Sequence, residues 1–226
     1  MHSHATTVEQ CDLTARSPTH YHSQSVSLLV GVCGGSGSGK TTIARLVAAE
    51  LGSSRLTFDT YYRDQSHLVP DERALLNYDH PDSLDVELFI EHLDLLIAGA
   101  PIEAPIYDFS THSRTDEFEL VEASPVVIVE GILLLSFPEI VDRLGIKVFR
   151  DCPENVRFAR RLGRDIAERG RTESSVYYQF EATVKPMHDR YVEPSIGEAD
   201  IVTLFDEELH GAADRVMTAI EEFSVV

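Results

Sequence analysis

Apolar residues in this chain gather into short runs, separated by longer stretches in which they recur every three or four positions. The runs at 26–33, 55–59, 126–130, 146–150 and 200–204 have the length and composition of buried strands. Residues 40–51, 85–98, 153–169, 173–187 and 207–222 carry the spacing of amphipathic helices. Strands and helices alternating in this way predict an α/β fold, with a parallel sheet covered by helices on both faces. Pro153 stands where a first helical residue is expected, and Gly99 where the helix from Asp85 should stop. Two stretches break the alternation. Residues 1–25 lack apolar periodicity, are rich in Ser, Thr and His, and read as a mobile tail ahead of a single domain at 26–226. Residues 101–122, marked by Pro101 and Pro105, read as a hairpin-like insertion suited to covering a substrate.

Composition narrows the picture. At 226 residues the chain supports one domain with a substantial core, and 43% of it is hydrophobic. No run approaches the roughly 20 apolar residues of a membrane span. Cys11, Cys33 and Cys152 are widely spaced and form no C-x-x-C pair, which predicts reduced thiols and a cytoplasmic protein. There are 38 acidic against 19 basic residues, a net charge of −19, and the only lysines are Lys40, Lys147 and Lys185. Such a surface repels nucleic acid and anionic membrane, so neither is expected as a partner. Excess carboxylate with scarce lysine suits adaptation to strong salt, because self-repulsion of this size is costly unless screened. An acidic protein from an arginine-preferring genome would have the same composition.

The chemistry begins at Gly34-Gly35-Ser36-Gly37-Ser38-Gly39-Lys40-Thr41, which fits G-x-x-x-x-G-K-[ST] at every position between a predicted strand and a predicted helix. Glycines let the backbone curl around an anion so that amide N–H groups point at a phosphate, and the helix start adds its positive dipole end. The predicted nucleotide cradle is Gly34, Gly35, Ser36, Gly37, Ser38, Gly39, Lys40, Thr41 and Thr42, with Lys40 reaching the β/γ-phosphates and Thr41 holding Mg²⁺. Asp59 ends the second predicted strand, where a carboxylate can take a proton from a substrate hydroxyl or cap the following segment. Glu130 ends the run Val126–Val129 and is placed to bind Mg²⁺ directly or through water. Six arginines (157, 160, 161, 164, 169 and 171) crowd one predicted helix and its end. Arg157, Arg161 and Arg164 share a helical face, with Asp165 and Glu168 available as ordinary partners. Arg169-Gly170-Arg171 suits a lid, here 161–172, that closes over a transferred phosphoryl group.

Taken together, the motifs GGSGSGKT, DTYYRDQSHL, NYDHPDSLD, PIYDFSTHSR, VEGILLL, RRLGRDIAERGR and VKPMHDRYVEP resemble those of the uridine (uridine–cytidine) kinases, from about Val26 to Ile201. The resemblance implies a P-loop kinase that moves the γ-phosphoryl group of ATP or GTP, with Mg²⁺, to uridine or cytidine. It implies that Asp59 is the base for the ribose 5′-hydroxyl and lies near the metal with Thr41 and Glu130. Lys40, Arg164 and Arg169 would serve the phosphates. Tyr62, Asp79, Tyr107, Phe109, His112, Arg161, Arg171 and Gln179 would surround the nucleoside, with Asp79 on the ribose hydroxyls and Tyr107 and His112 at the pyrimidine. A homotetramer is implied as well. Two places depart from the family pattern. Leu204-Phe205-Asp206-Glu207-Glu208 replaces a Pro-Arg-Gly turn near the donor base, which leaves ATP and GTP open, and Arg150 replaces an apolar strand residue. A phosphoribulokinase-like sugar-phosphate kinase and a non-enzymatic nucleotide switch are the rival readings.

Overall fold

The computed structural model describes residues 27–69, 72–73 and 75–224. The predicted tail, with its histidines and Cys11, lies outside them. Five strands, β1 (Leu28–Cys33), β2 (Ser54–Thr57), β5 (Val126–Gly131), β6 (Ile146–Asp151) and β7 (Ile201–Leu204), form one parallel sheet in the order β2-β5-β1-β6-β7. Between β2 and β5 the chain forms a separate antiparallel pair, β3 (Ile102–Asp108) and β4 (Ser113–Val121). The helices are α1 (Lys40–Leu51), α2 (Val86–Ile97), α3 (Pro138–Val141), α4 (Glu154–Arg169), α5 (Glu173–Gln179), α6 (Lys185–Met187) and α7 (Leu209–Ser224).

The sheet is parallel because its central strands β1 and β5 are apolar on both faces and need covering twice. Val30, Val32 and Val148 pack against Ile43 and Val47 of α1 and against Ala212 and Val216 of α7. Leu29, Val127 and Val129 turn the other way, toward Phe89, Leu93 and Leu96 of α2. Each such side chain, fully buried, contributes about 1.5–3 kcal/mol. The order puts β1 between strands that follow it on opposite sides. The connections therefore diverge at its carboxyl end, where open α/β sheets leave a crevice for a ligand.

Three local expectations need correction. The strand expected to run through Asp59 stops at Thr57, and Asp59 sits in a 3₁₀ turn, Phe58–Thr60. Pro153 is the cap before α4 and not its first residue. The single helix expected at 173–187 is an α-helical start followed by π-helical turns at Phe180–Val184 and His188–Val192, with α6 between them. Pro186 lies in that stretch; a proline has no N–H for an i→i−4 bond, and the wider turns accommodate it.

The exposed faces carry the acidic excess, and a stability prediction arises from it. If the charge of −19 self-repels at ordinary ionic strength, molar KCl should screen it. The melting temperature should then rise by at least about 5 °C between dilute buffer and 2 M KCl, equivalent to roughly 1–2 kcal/mol for a domain of this size. A midpoint that ignores KCl would leave the surface without a salt-adaptive role.

Candidate active site

The site grows from the turn between β1 and α1. Gly34 and Gly37 have φ of 145° and 82°, which L side chains rarely adopt. A Cβ on Gly34 would stand 2.6 Å from the Arg150 carbonyl, and one on Gly37 would strike the carbonyl of Arg157. The tight curl is therefore enforced from behind by β6 and α4. Arg157 and Arg160 line that back wall. The Arg157 side chain lies against Gly35 and donates to the Cys152 carbonyl at 3.0 Å, and Arg160 donates to the Ser38 carbonyl at 3.1 Å. Arg157 shares the buried helix face with Arg161, as the spacing expected, and both support the loop, Arg157 against Gly35 and Arg161 at Ser36.

In front of the loop three charged side chains converge. Lys40 Nζ stands 3.9 Å from Asp59 Oδ2 and 3.9 Å from Glu130 Oε2. Thr41 donates to Glu130 at 3.1 Å, and Arg55, which sequence reasoning passed over, pairs with the other Glu130 oxygen at 3.5 Å. Burial pushes the Glu130 carboxyl up, with Lys40 pulling it back and Asp59 pushing it up again. The other oxygen of Asp59 accepts the Ile132 amide at 3.0 Å, which fixes the carboxylate toward the cleft. No group of three or more His, Cys, Asp or Glu able to hold a metal alone occurs among the described residues. A hydroxyl and one or two carboxylates nevertheless fit Mg²⁺, which keeps several waters and takes its other ligands from phosphates.

Two cavities meet here. One, about 550 Å³ counting its mouth, is lined by every residue expected around the acceptor: Tyr62, Asp79, Tyr107, Phe109, His112, Arg161, Arg171 and Gln179. The other opens along Gly37, Gly39, Thr41, Thr42 and Glu130. Lys40, Asp59, Tyr107, Phe109, Arg164 and Arg169 line both. Gly34, Gly35 and Ser38 line neither of the two: they shape the loop from behind, while Ser36 faces the first cavity.

The first cavity is an aromatic slot with a polar end. Tyr62, Tyr107 and Phe109 pack edge to face or tilted at 5.0–6.5 Å. Tyr78, not singled out from the sequence although it precedes Asp79 within NYDHPDSLD, stacks on His112 at 4.8 Å and 13°. His112 has φ 53°, a left-handed backbone that turns the imidazole inward. Burial and then the guanidinium groups of Arg171 and Arg169 hold it below the usual histidine range, so the ring is neutral near pH 7. Asp79 is buried at the other end. Desolvation pushes its carboxyl up and Arg161 opposes this, with the Thr183 hydroxyl 3.4 Å away. Arg161 donates to Ser36 at 2.9 Å and to Gln179 at 2.8 Å, tying the phosphate loop to α5; Arg171 also donates to Gln179.

At the centre of the arginines lies Asp165, wholly buried. It faces Arg161, Arg164, Arg169 and Arg171 at 3.4, 2.8, 3.4 and 3.6 Å. Burial alone would raise its carboxyl, but the guanidiniums of Arg161, Arg164 and Arg169 outweigh that and hold it low. Arg169 also lies over the Phe109 ring at 4.7 Å. Arg150 finds a structural role in the last turn of the sheet. It is 1% exposed and donates to the carbonyls of Phe205 and Glu207 at 3.3 and 3.0 Å, so it fixes the turn that departs from the family pattern.

Known proteins place this arrangement. Residues 29–206 match the model of the Phosphoribulokinase / Uridine kinase family, and the chain belongs to that family. It is 44% identical over 197 residues to a uridine kinase of Chloroflexus aurantiacus, covering 86% of this chain and 94% of that protein. It is 43% identical over 198 residues to a uridine kinase of Ligilactobacillus salivarius, covering 86% and 93%. Among solved structures it shares its fold with a putative fructose transport system kinase from Silicibacter sp. TM1040, at TM-score 0.65 and 21% identity over 80% of this chain and 92% of that one. The phosphoribulokinase from Rhodobacter spheroides gives TM-score 0.58 at 14% identity over 80% and 71%. No helix among the described residues is long and apolar enough to cross a membrane.

Proposed function

We propose that this member of the family is a pyrimidine ribonucleoside kinase. It transfers the γ-phosphoryl group of ATP or GTP to the 5′-hydroxyl of uridine or cytidine, giving UMP or CMP. The observation that carries the reading is the shared wall: the phosphate-loop cavity and the aromatic cavity meet at Lys40, Asp59, Arg164 and Arg169. A donor phosphate held by the loop would meet an acceptor hydroxyl at that wall. Asp59 receives the hydroxyl proton, Lys40 and the arginines take up the charge on the transferring oxygens, and the loop amides hold the remaining phosphates. Mg²⁺, held by Thr41 and Glu130 with Asp59 nearby, would neutralise phosphate charge when bound. Asp79 accepts from the ribose hydroxyls, and the aromatic slot sandwiches the base. The same slot favours a planar base over the second phosphate of a sugar-phosphate acceptor.

A panel of uridine, cytidine, 2′-deoxyuridine and ribulose 5-phosphate, followed by nucleoside diphosphate release, tests the reading. Turnover should require the ribonucleosides, with the deoxynucleoside poorer. Faster release with ribulose 5-phosphate would favour the sugar-phosphate reading, and release indifferent to any acceptor a nucleotide switch.

A prediction for the base follows from the neutral His112. A neutral imidazole presents one donor and one acceptor nitrogen and, by changing tautomer, can meet either the O4/N3–H edge of uridine or the N4–H/N3 edge of cytidine. His112→Leu should lower kcat/KM about 10- to 100-fold with both nucleosides, equivalent to about 1–3 kcal/mol for unpaired polar groups. Affinity for the nucleotide donor should be unchanged. Because leucine tolerates φ near 53° poorly, the melting temperature is measured alongside. Full efficiency on both nucleosides would remove His112 from the base.

A further inference from the structure

Four of the arginines that line the two cavities converge on one carboxylate. Arg161, Arg164, Arg169 and Arg171 converge on Asp165, which has no access to solvent. Only Arg164 hydrogen-bonds it, through Nε at 2.9 Å. The other three stand at 3.4–3.6 Å, close enough to attract and too far for good hydrogen bonds, and Asp165 Oδ2 and Arg161 Nε are buried without a hydrogen-bond partner. Four positive charges against one leave the cluster strongly cationic. It is also under-bonded, so three of the four guanidiniums give up no good hydrogen bond to Asp165 when they turn to another anion. Glu168, the other acid the sequence offered, lines the phosphate-loop cavity and forms none of the ion pairs found among the described residues.

We propose that Asp165 is a positioning residue that acts as an exchangeable counter-ion. It holds the four guanidiniums together before the donor binds, yields them to the phosphoryl oxygens when the donor binds, and recaptures them as the phosphorylated product leaves. This rests on the kinase reading above for its kinetic part, while its binding part needs only the phosphate loop. The carboxylate competes with the ligand's phosphates for the same donors. It therefore weakens anion binding and speeds release, an effect opposite in sign to that of an ordinary structural ion pair.

The test is Asp165→Asn in the full chain, read by calorimetric titration with inorganic tripolyphosphate and by steady-state kinetics on whichever acceptor the wild type uses. Removing the negative charge that competes with the ligand for these guanidiniums should tighten tripolyphosphate about tenfold. The donor KM and kcat should fall together, kcat by roughly 10- to 100-fold because product release slows. Weaker tripolyphosphate binding by a folded variant would overturn the proposal, as would a kcat within twofold of wild type. Should Asp165→Asn fail to fold, Asp165→Glu keeps the counter-charge and must bind tripolyphosphate within twofold of wild type; a tenfold change in either direction would also overturn it. Failure of the wild type to phosphorylate any nucleoside would sink the functional reading and leave the binding result to stand or fall alone.

Discussion

Asp59→Asn is expected to lower kcat by roughly 10²–10⁴, the range for losing a general base, with the fold and donor affinity retained. The structure makes this substitution clean. The Asp59 oxygen that accepts the Ile132 amide at 3.0 Å has an equivalent in asparagine, so the turn at Phe58–Thr60 keeps its anchor. What disappears is the free oxygen 3.9 Å from Lys40, on the one carboxylate among the described residues that lines both cavities and so is placed to take a hydroxyl proton. A neutral amide also ceases to balance Lys40, so the lysine should bind phosphate at least as well as before. Loss should therefore appear in kcat with little change in the donor KM. Nucleoside phosphorylation within threefold of wild type would remove Asp59 from the base role.

Arg169→Met should cost about 10³-fold in kcat, the lower end of what a guanidinium over a transferring phosphoryl group contributes. Arg169 is one of two arginines that line both cavities, and its guanidinium is oriented by Phe109 at 4.7 Å and Asp165 at 3.4 Å. Gly170 follows with φ 62° and a left-handed backbone that ends α4, so this side chain stands on the last residue of the helix. Arg169→Lys keeps the charge but neither the planar fork nor the ring stacking, and should recover only a small part of the loss. Full rescue by lysine would mean that point charge alone is used there. A loss below tenfold in the methionine variant would mean that Arg164 carries the transfer without it.

Much of this was legible before any coordinates. The phosphate loop was readable because its glycines answer to backbone geometry, which sequence states directly. The sheet was readable because its central strands β1 and β5 are apolar on both faces. Asp79, Tyr107 and His112 were a different case. Nothing in periodicity brings residues from the turn before α2 and from the β3–β4 hairpin to one cavity, and only the family resemblance named them together. The misplacements have local causes. Asp59 left its strand because a 3₁₀ turn shares the apolar spacing of a short strand, and Pro186 divided a helix whose side-chain pattern is continuous. Asp165 was visible only as one more acid on a helix. Its pairs with Arg161 and Arg169 follow the i,i+4 rule, but the approach of Arg171 from past the end of α4 is something no spacing rule anticipates. Arg150 gave no signal because its partners are backbone carbonyls at Phe205 and Glu207, which sequence cannot display.

The central claim is that phosphoryl moves across the wall between the two cavities to a ribonucleoside. The most direct measurement follows the label from γ-³²P-ATP and Mg²⁺ with uridine as acceptor, identifying the labelled product by chromatography and by periodate sensitivity of its ribose. The account predicts label covalently attached at the 5′-oxygen of uridine, one equivalent per ADP formed, with the 2′- and 3′-hydroxyls still free to react with periodate. Label recovered only as inorganic phosphate, at a rate uridine does not change, would contradict it.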